Sequence, residues 1–273
     1  IKYYNEFQAK KMTNKVNAFF EKLNLPVKLD FSELKQNYAR EMVRERHIAS
    51  AICDKIHQMV SSDEEMKRIL KKIYEGKETG TEISDRPSLE NELRSNLLKK
   101  GGKAFVAEDK KAFLSPEQII DMIIDAGGIP CYPVLLDNEQ GEFTDFEGHW
   151  SAMHDYLSKW NIGCLELIPD RNSFEVLKDF VRFFNERNFI ITFGSEHNTP
   201  VLKPLTPQCR NDIPLSREME RISFEGASVI AAHQYKKAKG KEGFLTPDKK
   251  PKRKLRKEFV NLGKAVISEF LST

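Results

Sequence analysis

Cysteine is scarce in this chain of 273 residues: Cys53, Cys131, Cys164 and Cys209 stand far apart, and none forms a Cys-x-x-Cys pair. That spacing excludes a paired-cysteine zinc motif. The apolar surroundings of Cys53, Cys131 and Cys164 suit reduced, buried thiols in a cytoplasmic protein. No apolar run approaches the ~20 residues of a membrane span, and there is no signal peptide. The chain starts at Ile1 without a methionine, which points to a piece of a longer protein or a processed product. A glycine-rich phosphate loop and a Ser-His-Asp order are also missing. Charge of one sign does not dominate: 31% of residues are charged and the net charge is only +3. Nucleic acid is therefore not the expected partner.

What is present falls into three segments. Residues 1 to 112 read as helical, with Val16, Phe19, Phe20 and Leu23 at helical spacing, then Ile48, Ile52, Ile56 and Met59, then Met66, Ile69, Leu70 and Ile73. Residues 76 to 88 are polar and aperiodic, a loop. From 113 to 240 helix and short strand alternate. Ser115-Pro116-Glu117 starts a helix with an N-cap serine and a proline in the first turn, and Ile119, Ile120, Ile123 and Ile124 form its apolar face. Ile129 to Leu136, Cys164 to Ile168 and Phe189 to Phe193 read as strands, and Phe174 to Arg187 as a helix. Arg217 to Gln234 reads as a helix interrupted near Gly226. Such alternation implies a parallel sheet or barrel with helices outside. Residues 241 to 273 hold a basic run (Lys249, Lys250, Lys252, Arg253, Lys254, Arg256, Lys257) and an amphipathic helix carrying Phe259, Leu262, Val266 and Phe270. The run reads as a solvated tail, a docked helix, or a patch for RNA or anionic membrane. It lacks the interleaved aromatics that favour single-stranded nucleic acid.

Three motifs in this order resemble the polymerase and histidinol phosphatase (PHP) family. They are Arg44-Glu45-Arg46-His47-Ile48-Ala49; Leu114-Ser115-Pro116-Glu117 with Ala126-Gly127-Gly128 through Pro133; and Leu165-Glu166-Leu167 with Gly194-Ser195-Glu196-His197. The resemblance implies an α/β fold: a distorted seven-stranded β/α barrel, incomplete at its N-terminus, with a small helical insertion. It implies a metal-dependent phosphoesterase that hydrolyses a small phosphate monoester or nucleotide through metal-bound hydroxide. It also implies that a missing N-terminal segment of the same protein, or another chain, completes the barrel. The family's opening His-x-His motif is absent, and its histidine in the second motif is replaced by Tyr132, a poor metal ligand because a phenol titrates near ~10.

The residues themselves support parts of this reading. Gly194 to Asn198 follow an apolar strand with no hydrophobic residue among them, where ligands gather in parallel α/β folds. Glu196 and His197 are the candidate ligands for a divalent metal (Zn, Mn or Mg); a hydrogen-bonded loop-closing pair is the other reading. His47, flanked by Arg44 and Arg46 at a helix start, is a candidate phosphate holder, or else belongs to an ordinary charged surface. Arg171 with Asn172 either faces the site or caps the next helix. Tyr132 supplies a hydrogen-bonding phenol. Glu166 is expected to point into a barrel layer, where a buried carboxylate needs a partner. Two alternatives stand beside hydrolysis of a phosphate ester: a degenerate barrel that binds a ligand or acts as a scaffold, and a metal-dependent hydrolase for a non-phosphate ligand.

Overall fold

A computed structural model describes residues 1–196 and 204–272. Its contacts divide the chain into two units, Ile1–Leu114 and Ser115–Thr273.

The first unit is helical: α1 (Lys2–Lys22), α2 (Phe31–Asn37), α3 (Glu45–His57), α4 (Asp63–Ile73) and α5 (Arg86–Leu93), with α5 running into a π-helical turn, Arg94–Leu98. Local chemistry starts these helices. Asp30 caps α2 by accepting the Glu33 amide at 2.9 Å, and Ser62 caps α4, whose first turn is Asp63, Glu64 and Glu65. Ile48, Ile52 and Ile56 on α3 recur every four residues and are fully buried. They join Val16, Phe20, Leu70, Leu89 and Leu97 in one core. Asn17 bonds both the amide and the carbonyl of Leu29 at 2.8 Å, which fixes the return from α1.

The second unit is built on three parallel strands in the order β1 (Cys131–Val134), β2 (Cys164–Leu167), β3 (Ile190–Phe193). The crossover helices are α7 (Trp150–Lys159) and α8 (Phe174–Glu186), while α6 (Pro116–Asp125) precedes β1. A short antiparallel ribbon, β4 (Gln208–Cys209) with β5 (Ile213–Pro214), leads to α9 (Arg217–Ala238) and then α10 (Arg256–Leu271). Leu165, Leu167 and Ile191 bury one sheet face against Leu177, Phe180, Val181 and Phe184 of α8. On the other face the register aligns Cys131 with Cys164 and Ile190, then Pro133 with Glu166 and Thr192. The first of these rows belongs to a core with Val229, Ala232, Phe244 and Phe259. In the second row Pro133 and Glu166 are exposed.

The expected seven-stranded β/α barrel is not what forms. Among the described residues the sheet has three strands, and the ribbon two. Closing a barrel needs enough strands, tilted and staggered, to return to the first. Here β3 is flanked by α9 instead of a further strand, and residues 1–114 supply helices with a core of their own. Other expectations change in detail. α9 is one uninterrupted helix of 22 residues. Gly226 is needed for close approach, because a Cβ there would lie only 2.9 Å from the Ile191 carbonyl carbon. α6 buries none of its isoleucines fully. Glu166 reaches solvent instead of a buried layer. α10 buries Phe259, Val260 and Gly263, whereas Phe270 is 81% exposed.

Candidate functional site

Parallel strands leave their ligands at their C-terminal ends, and that rim of β1, β2 and β3 is where polar groups converge in the second unit. After β1 the chain turns through Leu136, whose φ of +61° is costly for a branched apolar side chain. A buried carboxylate holds the turn in place. Glu147 accepts the Leu135 amide at 3.2 Å, the Leu136 amide at 2.8 Å and the Tyr132 hydroxyl at 3.2 Å. Burial and this carboxylate push the Tyr132 phenol up to about 12, so it stays protonated and donates.

The turn delivers Asp137, only 2% exposed, to the rim. Its carboxylate accepts the Ser173 amide at the start of α8 and pairs with Arg210 at 3.2 Å. Arg210 also donates to the backbone carbonyls of Asp137 and Arg171. Asn172, fully buried, donates to the carbonyls of Leu135 and Asp137 at 2.8 and 3.2 Å, and its Oδ1 has no hydrogen-bond partner. Three loops, after β1, after β2 and before β5, are thereby tied together by Asp137, Asn172 and Arg210. Beside them lies a cavity of about 280 Å³ whose wall includes Asp170, Gly194, Ser195, Arg210, Asn211 and Asp212. Asn211 and Asp212 are both left-handed, at φ +62° and +59°. Consecutive left-handed residues are a local strain of the kind that collects at ligand sites.

The residues singled out in the sequence fall in different places. Glu196 follows β3 at the rim and forms a close ion pair with Arg171. Tyr132 is on β1, turned to Glu147. His197, the second expected metal ligand, lies outside the described residues. Arg44, Arg46 and His47 belong to the first unit. The His47 Nδ1 accepts the Arg44 amide at 3.0 Å, and burial together with the Arg46 charge lowers its pKa. Arg44 and Arg46 line a cavity of about 350 Å³ with Glu45, Arg94 and Glu108, and His47 does not line it. Arg94 comes from the π-helical turn; its Nε is buried without a hydrogen-bond partner, and its guanidinium is 3.7 Å from Glu45.

Donor chemistry decides whether a metal cluster fits. Among the described residues no three Asp, Glu, His or Cys side chains come together around a common point. Glu196 is paired with Arg171, Asp137 with Arg210, and Glu147 with two amides and a phenol. The described donors do not assemble the multi-metal centre that the family resemblance implies.

The chain matches no family model, no curated protein and no solved structure. The helices offer no segment long and apolar enough to cross a membrane among the described residues.

Sequence reasoning missed Asp137, Glu147, Asn172 and Arg210 as a connected group. Asp137 and Glu147 lie in an aperiodic stretch with no motif around them. The one available signal was local: Asn172 follows Arg171 just beyond a strand end.

Proposed function

We propose that the second unit binds a small phosphorylated molecule at the C-terminal rim of its three parallel strands. The cavity beside the linked loops supports the reading, because three separate connections are fixed there by buried polar contacts while a space is left open between them. Arg171, next along the chain from the wall residue Asp170, is the cation this reading offers to an anion. It is 41% exposed, and an incoming phosphate would compete with Glu196 for its guanidinium. The chain is in this reading a ligand-binding protein whose site lies at the end of a three-stranded parallel sheet, with no metal cluster among the described residues. Four free thiols fit a reducing, cytoplasmic setting.

A second reading, metal-dependent hydrolysis of the same phosphate ester, is favoured by the carboxylates of Asp170 and Asp212 on the cavity wall and of Glu196 at the neighbouring strand end. In that case Glu196 and His197 would hold the ion.

Calorimetric titration with adenosine monophosphate and phenyl phosphate tests both. Saturable binding that weakens roughly tenfold in Arg171→Ala supports the rim site; absent or unchanged binding overturns it. Metal analysis after chelator-free purification then separates the readings. More than one ion per chain with hydrolysis of an aryl phosphate selects the enzyme, and near-zero metal with no hydrolysis selects the binding protein.

A further inference from the structure

The opposite end of the parallel strands carries a different site. The basic run that follows α9 ends in a 3-10 turn, Arg253–Leu255, and enters α10. α10 is docked, not a free tail. Gly263 sits so close to α9 that a Cβ would lie 2.8 Å from the Ser228 Cα, and Phe259 and Val260 are buried. Docking gathers Arg253, Lys254, Arg256, Lys257 and Lys264 around a cavity of about 540 Å³, with Glu225 its one acidic lining residue. Asn188, just before β3, forms part of the wall, and Gly163, just before β2, packs on Pro251 behind it.

The two arginines have lost water without gaining an adequate counter-charge. Arg256 is 11% exposed; it donates to Asn185 Oδ1 at 2.8 Å, and the nearest carboxylate, Glu225 at 3.7 Å, is already held by Arg221 at 2.8 Å. Arg253 lies over the Phe189 ring at 4.4 Å and donates weakly to the Arg187 carbonyl. Burial lowers the pKa of both guanidiniums, which means their charged forms are under-solvated. Among the described residues Lys254, Lys257 and Lys264 form no ion pair with a carboxylate. The N-terminus of α10 adds its own partial positive charge.

We propose that this cavity binds the oligophosphate group, diphosphate or longer, of a small molecule. From Arg256 to Lys264 the helix advances ~12 Å, a spread of cations that one phosphate does not span. Beside the lining stands a single exposed ring, Phe224 under Lys264, and not the interleaved set of aromatics that favours single-stranded RNA. Membrane adsorption also needs apolar side chains beside the cations to enter the headgroup layer, and Val260, the apolar residue of the lining, is buried. The site lies at the other end of the strands from the rim cavity and does not rest on the rim reading.

The test is titration of the whole chain with sodium tripolyphosphate at low salt, with pyrophosphate and orthophosphate as shorter probes. The knock-out is the triple variant Lys254→Gln, Lys257→Gln, Lys264→Gln, whose side chains are exposed and whose fold is checked by circular dichroism. The expected result is saturable binding, tightest for tripolyphosphate, and weakened roughly tenfold or more in the triple variant. No saturable binding, or equal affinity in a folded variant, overturns the proposal. Phosphatidylserine vesicles and polyuridine RNA form the remaining arms. If either binds and tripolyphosphate does not displace it, the surface is a membrane or RNA patch and the proposal falls. Displacement by tripolyphosphate upholds it.

Discussion

Gly226→Ala offers the sharpest test of how α9 is seated on the sheet. In a solvent-exposed helix interior this change stabilises by ~1 kcal/mol, because alanine is the better helix former. At Gly226 the new Cβ would meet the carbonyl of Ile191 well inside van der Waals contact, with the carbonyl carbon at 2.9 Å and the amide nitrogen at 3.3 Å. Both are backbone atoms of a strand paired to its neighbour, so neither can swing away. α9 has to retreat by ~1 Å, and a gap of that size forfeits a quarter to half of the contact energy of each side chain across it. Met219, Ile222, Val229 and Ala232 of α9 are buried in these contacts. At roughly 1.5–3 kcal/mol for each large side chain when fully packed, the loss is ~2–4 kcal/mol, and after the helix-propensity gain the net destabilisation is ~1–3 kcal/mol. Urea unfolding measures it. Ala227→Gly, exposed one residue along the same helix, isolates the propensity effect and should cost ~1 kcal/mol. A Gly226→Ala protein as stable as the parent, or more so, would refute the close packing of α9 on β3.

Three further outcomes are expected. His233 is buried, takes the Phe244 amide on Nδ1 at 2.9 Å and contacts the Gly127 carbonyl through Nε2 at 2.8 Å, so burial depresses its pKa below 6.5. The unfolded chain then binds more protons below that value, and stability held at neutral pH is lost as pH falls from about 6.5 through the folded pKa; His233→Ala should remove this slope and cost ~1–3 kcal/mol by orphaning the Phe244 amide. Glu147→Gln replaces an acceptor-only group by one with a single acceptor oxygen, and should destabilise by ~1–3 kcal/mol in thermal unfolding and shift the Leu136 amide resonance. Burial pushes the thiols of Cys53 and Cys209 up to about 12 and about 11, and a hydrogen bond with Cys164 across the strand register, together with burial, raises that of Cys131; Ellman's reagent at pH 8 should react slowly with the folded chain and at all four thiols in denaturant.

Much of the local structure was legible. The strands expected over 129–136, 164–168 and 189–193 form over 131–134, 164–167 and 190–193, and Ser115-Pro116 opens α6 as the expected N-cap and first-turn proline. Period alone could not say how many strands would pair, since pairing is a long-range event. The missing closure followed from residues 1–114 packing on themselves. Gly226 shows the same limit: in sequence a mid-helix glycine reads as a break, while in space it is where two backbones touch. Within the rim, Arg171 and Glu196 were visible because each follows a strand end, and Tyr132 through the motif resemblance. Glu147 was not, because its partners are 11 to 15 residues away along an aperiodic stretch. Arg94 was hidden by a π turn that shifts side chains off the helical period.

The exposed row of Pro133 and Glu166 bears on how copies of this molecule tolerate crowding. Among the described residues β1 is an edge strand, the kind of element that a matching ribbon from another copy can pair with. A proline set within it withholds one amide proton from such a visitor, and the carboxylate at the middle of the sheet would be stripped of water if a second sheet stacked on top. Exchanging both for valine would restore that amide proton and remove that charge, and the double variant is expected to aggregate faster than the parent under agitation, as thioflavin fluorescence would show.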